Sequence, residues 1–412
     1  MWHIHKWLLC SVLGLSLLAC GSGGGGDAAN SAESEQSTGT DNTSSDNSTN
    51  DSSAQQTAAN TDSGGFATTQ GGNISASVAV TVNTLAAMQA AVDAAKSGVY
   101  PVVITYTGNE DSLIAQIVQD HTVDANGDCA VAHWDDEYRF VQIKEMTAGV
   151  TILGAAGSSA NFGIVVNKST DVVIRNMKIG ALGGAANDAD MLRIDSSSNV
   201  WIDHNELFAV NNECNGSPDG DLTFEGALDI KKDSHNITVS YNYIHDVKKV
   251  GLDGSSNTDI AGGREITYHH NYYENVNSRL PLQRGGWTHF YNNFYSHIKS
   301  SGINVRQLGY ALIEYNWFEN SANPITCRFD SSNCGYWQLR GNNLQSAEDN
   351  ATYGISWGSV SAPQVNADNW QSTADFPITL PYSYTPHSID CVKNNLAQVA
   401  GAGHNMALLD CE

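Results

Sequence analysis

Two acidic pairs followed by a run of cations are the residues in this 412-residue chain best suited to chemistry. Asp188 and Asp190 stand in AANDADMLRID, and Glu225 and Asp229 in FEGALDIK. Residues two apart in an extended segment share a face, so Asp188 and Asp190 point the same way, as do Glu225 and Asp229 more loosely across four residues. About a coil plus a loop separates the pairs, which predicts that they lie on adjacent coils of a stacked structure. Four carboxylates converging there repel one another unless a hard cation lies among them, and all-oxygen ligation suits Ca2+. The alternative is a set of simply solvated acidic loops. Lys231, Lys249, Arg279, Arg284 and Arg306 come next. Lys231 is two beyond Asp229 and shares its face. Cations beside a metal site make a trap for carboxylate-bearing ligands, with arginine suited to bidentate capture. Pairing between the basic and acidic sets for stability alone is the competing explanation.

The elements that position these groups show as a repeat. Short alternating segments end in Asn176, Asn205, Asn242, Asn271, Asn293, Asn316 and Asn342, at spacings of 29, 37, 29, 22, 23 and 26 residues. A shortest spacing near one coil, with longer ones absorbed by loops, is the mark of a solenoid. The units alternate at period 2 and are rich in Val, Ile, Thr, Tyr and Phe, which favours stacked strands over helical repeats. The expectation is an all-β fold, a parallel β-helix, in which in-register coils stack the Asn amides about 4.8 Å apart as a hydrogen-bonded ladder.

The ends of the chain read differently. Residues 1–19 carry Lys6 and the apolar run WLLCSVLGLSLLA, a secretory signal too short to span a membrane. Leu17-Leu18-Ala19-Cys20 has the form of a bacterial lipobox, in which Cys20 becomes the acylated N-terminus; an ordinary cleavage site before a Cys is the alternative. Residues 20–65 contain almost nothing to bury and are expected to form a disordered linker. The folded domain is then expected over 66–412. Thr84 to Lys96 reads as a helix with Leu85, Met88, Val92 and Ala95 on one face, placed before the VVITYTG strand to cap the open end of the coils. Of the 8 cysteines, six fall in the exported domain, where pairing is expected. Spacing suggests Cys327 with Cys334 and Cys391 with Cys411, which leaves Cys129 with Cys214. No CxxC or suitable His spacing supports zinc. The net charge of −24 argues against a nucleic-acid partner. It fits a polyanionic ligand only if the basic residues are locally concentrated and a cation adds attraction.

VWIDHNELF (Val200 to Phe208), ALDIK (Ala227 to Lys231), ITVSYNYIHDVKKVGLDGSS, ITYHHNYY and RLPLQRGG (Arg279 to Gly286) follow in an order that resembles the secreted pectate lyases of plant-rotting bacteria, polysaccharide lyase family 1. The resemblance runs from GGFATTQGGN (Gly64 to Asn73) to the C-terminal Cys pair. It implies a right-handed, single-stranded parallel β-helix, Ca2+ dependence, and β-elimination on polygalacturonate to give 4,5-unsaturated oligogalacturonides; a monomer is the separate expectation for the chain. By that likeness Asp188, Asp190, Glu225 and Asp229 are the metal ligands and Arg279 is the proton-abstracting base. Lys249 and Arg284 grip substrate carboxylates, and Lys231 makes a further substrate contact. The Cys129–Cys214 and Cys391–Cys411 pairs match the family; Cys327, Cys334 and the tether have no place in its pattern. Trp201, Asp203 and His204 are family hallmarks read as packed coil positions, and His269 and His270 are read as structural. Two rivals stay open at this level. A pectin lyase acting on methylated substrate needs no calcium, and a non-catalytic pectin-binding β-helix has no use for Arg279 beside Lys249 and Arg284. A glycoside hydrolase needs two carboxylates at a defined separation across the bond, whereas these acids are grouped as ligands.

Overall fold

The structure is a computed structural model that describes residues 62–131, 138–183, 189–211, 214–215, 224, 226–260, 263–327, 333–358 and 370–411. The signal, Cys20 and nearly all of the linker lie outside the described residues. Among the described residues, parallel pairing of short strands builds three sheets. One has ten strands from Val78–Val82 to Tyr336–Arg340, one eight from Phe140–Lys144 to Ile325–Thr326, and one six from Lys178–Gly180 to Trp317–Glu319. A typical coil gives one strand to each sheet, as Leu192–Asp195, Ser198–Asp203 and Glu206–Phe208 do in succession. Period-2 alternation turns Ile194, Ile202 and Leu207 of that coil inward. They lie in register with Ile230, Val239 and Ile244 of the next coil, so the core is a set of aliphatic columns. This is the all-β parallel solenoid that the repeat predicts.

The Asn ladder forms as a chain of amides. Asn205, Asn242, Asn271 and Asn293 each donate from Nδ2 to Oδ1 of the following coil's Asn at 2.9 Å, and Asn316 reaches Asn342 at 3.1 Å. The same Nδ2 groups also reach backbone carbonyls, as Asn242 does with Ile202 at 3.0 Å. A carboxamide is suited to this buried position because it both donates and accepts. Each such bond contributes about 1 kcal/mol net, but leaving one unmade in the interior costs about 1–3 kcal/mol. The residue before each Asn turns the corner with a left-handed φ, 52° at His204, 53° at Tyr241 and 53° at His270.

Asn176 is not part of the ladder. Arg175 pairs with Asp203, so Asn176 falls opposite His204 at the corner and Met177 occupies the ladder register. Asn176 instead donates to Gly154 O at 2.7 Å and accepts from Gly403 N at 2.8 Å. Spacing alone misassigned it by one residue, because Asn is also a favoured left-handed corner residue.

The predicted helix runs Leu85–Gly98, with the Thr84 hydroxyl accepting from Ala87 N at 3.2 Å as its N-cap and Met88, Val92 and Ala95 buried. It packs on the first coils, but the strand Val78–Val82 precedes it, so VVITYTG is not the first strand. A second helix, Asp111–His121, has no counterpart in the sequence reading; it buries Ile114, Ile117 and His121 at helical spacing. Disulfides join Cys327–Cys334 and Cys391–Cys411, as the spacing suggests, and Cys129–Cys214, the pair that remained.

Packing begins by Ser63, inside the segment that composition assigns to the linker. Its side chain is buried beside Thr238 at 3.2 Å, and Phe66 N and Ala67 N donate to Thr267 and Thr238 hydroxyls at 3.2 and 3.0 Å. Three histidines secure this strap and the C-terminal segment to the ten-stranded sheet. His269 Nε2 donates to Ser63 O at 2.7 Å, so its Nδ1 must accept from His270 Nδ1 at 2.8 Å, and His270 Nε2 in turn from His387 Nδ1 at 3.0 Å. That order requires neutral rings at His269 and His270, each of which accepts through one ring nitrogen. Burial pushes His269 down to about 4 and His270 well below its ordinary value, with neighbouring histidines adding to the effect. The unfolded chain therefore takes up protons from about pH 6.5 downward that the folded chain refuses, so this stability is complete above that pH and is lost as pH falls toward 4. The urea midpoint should accordingly fall steeply between pH 7 and pH 4.5, with a shallower slope in His270→Gln; a flat profile in the wild type would refute the latch.

Candidate active site

The outward face of the eight-stranded sheet collects the charges. Inward positions of Gly226–Lys231 are taken by Leu228 and Ile230, so Asp229 and Lys231 point out, yet both are nearly covered. Asp190 comes from the preceding coil, where Met191 N donates to Gly226 O at 3.1 Å. Lys231 Nζ bonds Asp190 Oδ2 at 3.2 Å and Asp229 Oδ2 at 2.9 Å, which holds the two carboxylates together. Asp229 Oδ1 accepts from Leu252 N at 2.9 Å. A Cβ on Gly226 would lie 2.8 Å from Asp190 Oδ1 and 3.3 Å from Asp229 Oδ1, so glycine leaves a small cradle between two carboxylate oxygens on adjacent coils.

Cations occupy the following coils. Lys249 is in register with Gly226 and bridges to Ser278, the residue before Arg279. Arg279 is partly exposed with φ of 66°, and its carbonyl accepts from Gly251 N at 2.9 Å. Left-handed residues are common at these corners, so that strain alone does not single Arg279 out. Among the described residues its guanidinium has no hydrogen bond or ion pair. Arg284 and Arg306 pair on neighbouring strands; Arg284 Nη1 donates to Gly254 O at 2.7 Å and Arg306 Nε to Asn304 Oδ1 at 3.1 Å. Parallel neighbours lie about 4.8 Å apart, so acids and cations are sorted along the coil axis within a few coils.

Two groups here escaped the sequence reading. Burial, together with the charge of Lys249 beside it, lowers Lys248 to about 8. Asp253 faces the lumen opposite Ile230, where burial raises its carboxyl to about 7 although Tyr268 donates to it at 2.7 Å. Its place at an inward parity of KVGLD was the available signal.

A family model described as pectate lyase matches residues 50–405. The chain is a member of the pectate lyase family. It is 55% identical over 364 residues to pectate lyase C of Dickeya chrysanthemi, covering 86% of this chain and 94% of that one. Pectate lyase 1 of Pectobacterium carotovorum is 56% identical over 361 residues, covering 85% and 93%. Among solved structures, pectate lyase C from Erwinia chrysanthemi at pH 9.5 with Ca2+ superposes with a TM-score of 0.80 at 54% identity, and a pectate lyase C Arg-to-Lys mutant in complex with pentagalacturonic acid with 0.78 at 53%. Each covers 85% of this chain and 99% of its own. The bacterial polysaccharide lyase resemblance, the solenoid and the assignment as an enzyme therefore hold.

Of the four carboxylates expected to hold metal, Asp190 and Asp229 are brought together, while Asp188 and Glu225 lie outside the described residues. Among the described residues no group of three or more acidic, His or Cys side chains forms a metal cluster. The two described members fit a hard cation nonetheless: both donors are carboxylate oxygens, they face one cradle, and a positive charge already bridges their other oxygens. Trp201, Asp203 and His204 sit away from this face, on the ten-stranded sheet. Although burial would raise it, His204, Arg175 and Ser240 hold the Asp203 carboxyl down at about 2, so the triad is a packed, hydrogen-bonded corner. If the Gly226 cradle matters, Gly226→Ala should weaken calcium binding by about tenfold, read by calorimetric titration, with unchanged circular dichroism. Wild-type calcium affinity in that variant would show that the cradle is not part of the metal site.

Proposed function

We propose that the chain cleaves polygalacturonate by Ca2+-dependent β-elimination on the outward face of the eight-stranded sheet. The observation that carries this reading is the sorting of charge there: Asp190 and Asp229 meet across Gly226, Lys249 follows on the next coil, and Arg279 and Arg284 share the coil after that. A chain with net charge −24 that gathers cations in one place is suited to seize a polyanion at that place alone. The complex of a family member with pentagalacturonic acid supports the substrate class.

In this reading Lys249 and Arg284 grip uronate carboxylates, and Lys231 adds a third cation at the edge of the acidic pair. Arg279 removes the C5 proton. The C5–H electron pair becomes the C4–C5 double bond as the C4–O glycosidic bond breaks, and the departing oxygen takes a proton from solvent. Asp188, Asp190, Glu225 and Asp229 would hold Ca2+, which when bound would neutralise the carboxylate next to C5, where negative charge develops. The fixed cations act in the same sense, and they need no reorganisation during the step.

The test is to follow absorbance of the unsaturated product from polygalacturonate with calcium and with excess chelator. Chelation should abolish the signal while leaving the β-rich circular dichroism intact; full turnover without metal would end the calcium reading. A guanidine accepts a proton only in the small fraction that has lost one, so the rate should climb into the alkaline range. Arg279→Lys keeps the charge but moves the nitrogen and should lose activity at least about a hundredfold. Turnover near wild type in that variant would remove Arg279 as the base.

We further propose export and acylation at Cys20, since LLAC precedes a long spacer with little to bury. Cys20→Ser should move the protein out of the membrane fraction, and a variant that still sediments with membranes after a salt wash would refute the anchor.

A further inference from the structure

Arg264 is among the largest fully buried side chains in the molecule, and neither the core nor the proposed chemistry uses it. Its Nη1 donates to the backbone carbonyl of Arg284 at 2.7 Å, and its Nη2 to Lys232 O at 2.6 Å and to Asp259 Oδ1 at 2.5 Å. The other Asp259 oxygen accepts from Lys232 N at 2.8 Å, Ser255 N at 2.7 Å and Ser255 Oγ at 2.9 Å. Despite burial, these amide donors and Arg264 hold the Asp259 carboxyl below its ordinary value, so the pair is ionised. Since Arg284 itself donates to Gly254 O, one buried ion pair ties three pieces together. They are the turn that follows Lys231, the turn that receives the Arg284 guanidinium, and the backbone of Arg284.

Two glycines are shaped around this pair. Gly254 has φ of 98°, and a Cβ there would lie 2.9 Å from Arg264 Nη1 and 3.1 Å from Arg284 Cβ. Gly286 has φ of 70°, and its Cβ would meet Arg264 O at 2.5 Å and Arg264 Cβ at 2.9 Å. Both turns therefore pass close against the backbones of Asp259 and Arg264, and only a glycine at each lets the pair sit at this junction.

We infer that Arg264 and Asp259 are positioning residues that fix the direction of the Arg284 guanidinium toward a uronate carboxylate. The inference rests on the reading of Arg284 as a substrate clamp. Planar, doubly bonded guanidinium contacts set direction as well as distance, which a lysine cannot reproduce. The molecule contains a control: Arg175 and Asp203 form a comparably buried pair at 2.6 Å on the ten-stranded sheet, where Asp203 also bonds His204 and Ser240.

Steady-state kinetics on polygalacturonate, measured below each variant's unfolding midpoint, test this. Arg264→Lys and Asp259→Asn should each raise KM about tenfold with kcat within about twofold, whereas Arg175→Lys should lower the midpoint and leave KM unchanged. In Arg264→Lys/Arg284→Ala, KM should be no higher than in Arg284→Ala alone, because both act through one guanidinium. Should Arg264→Lys fail to fold, Asp259→Asn gives the same reading. Wild-type KM in the folded positioning variants, with Arg284→Ala raised, overturns the positioning role alone. Wild-type KM in Arg284→Ala overturns the clamp and this inference with it.

Discussion

Parallel stacking in fixed register is the constraint on which everything else in this molecule depends. A strand that slips by one residue exchanges its core face for its solvent face, so the aliphatic columns through Ile194 and Ile230 penalise any slip. The Asn ladder penalises it further, because a buried amide moved out of line leaves its donors and acceptors unmet. Once register is fixed, residues far apart in sequence become neighbours at a predictable spacing. Asp190 and Asp229 meet for that reason, and Lys249 follows them in the same row as Gly226.

The cost of this arrangement is electrostatic. Asp190, Asp229 and Lys231 are all held out of water, and a buried charge is tolerable only with partners. Lys231 bridges both carboxylates, which relieves their repulsion while leaving an oxygen of each facing Gly226. Beneath the sheet Asp253 meets the same problem differently, since with one hydroxyl donor and deep burial its carboxyl keeps its proton to about pH 7. On the ten-stranded sheet, the neutral His269 and His270 rings fasten the strap at Ser63 and the segment at His387 to the solenoid without adding charge to the site face.

Much of this was legible in the sequence, and what was not has physical reasons. The coil repeat, the ladder from Asn205 to Asn342, the capping helix and the Cys327–Cys334 and Cys391–Cys411 pairs could be read because each follows from local spacing, whereas Cys129–Cys214, 85 residues apart, was the pair left over. The shared face of Asp229 and Lys231 could be read from period 2. Asn176 was misplaced because Asn suits both the ladder and the left-handed corner beside it, and only strand register separates the two. The Asp111–His121 helix was missed because its apolar set is short and rich in β-branched residues, so helix and strand patterns overlap. Arg264 carries little local signal: Asp259 is five residues away, but its carbonyl partners at Lys232 and Arg284 come together with it only after the coils are stacked.

The account stands or falls on one face of one sheet serving as the meeting place of metal and polyuronate. The most direct measurement is a crystal structure with Ca2+ and a short oligogalacturonate bound to a slowly reacting variant. The expected result is metal density against the Asp190 and Asp229 oxygens over Gly226, with uronate carboxylates directed at Lys249 and Arg284 and a C5 carbon nearest Arg279. Oligosaccharide bound on another face, or metal ligated away from Asp190 and Asp229, would contradict it.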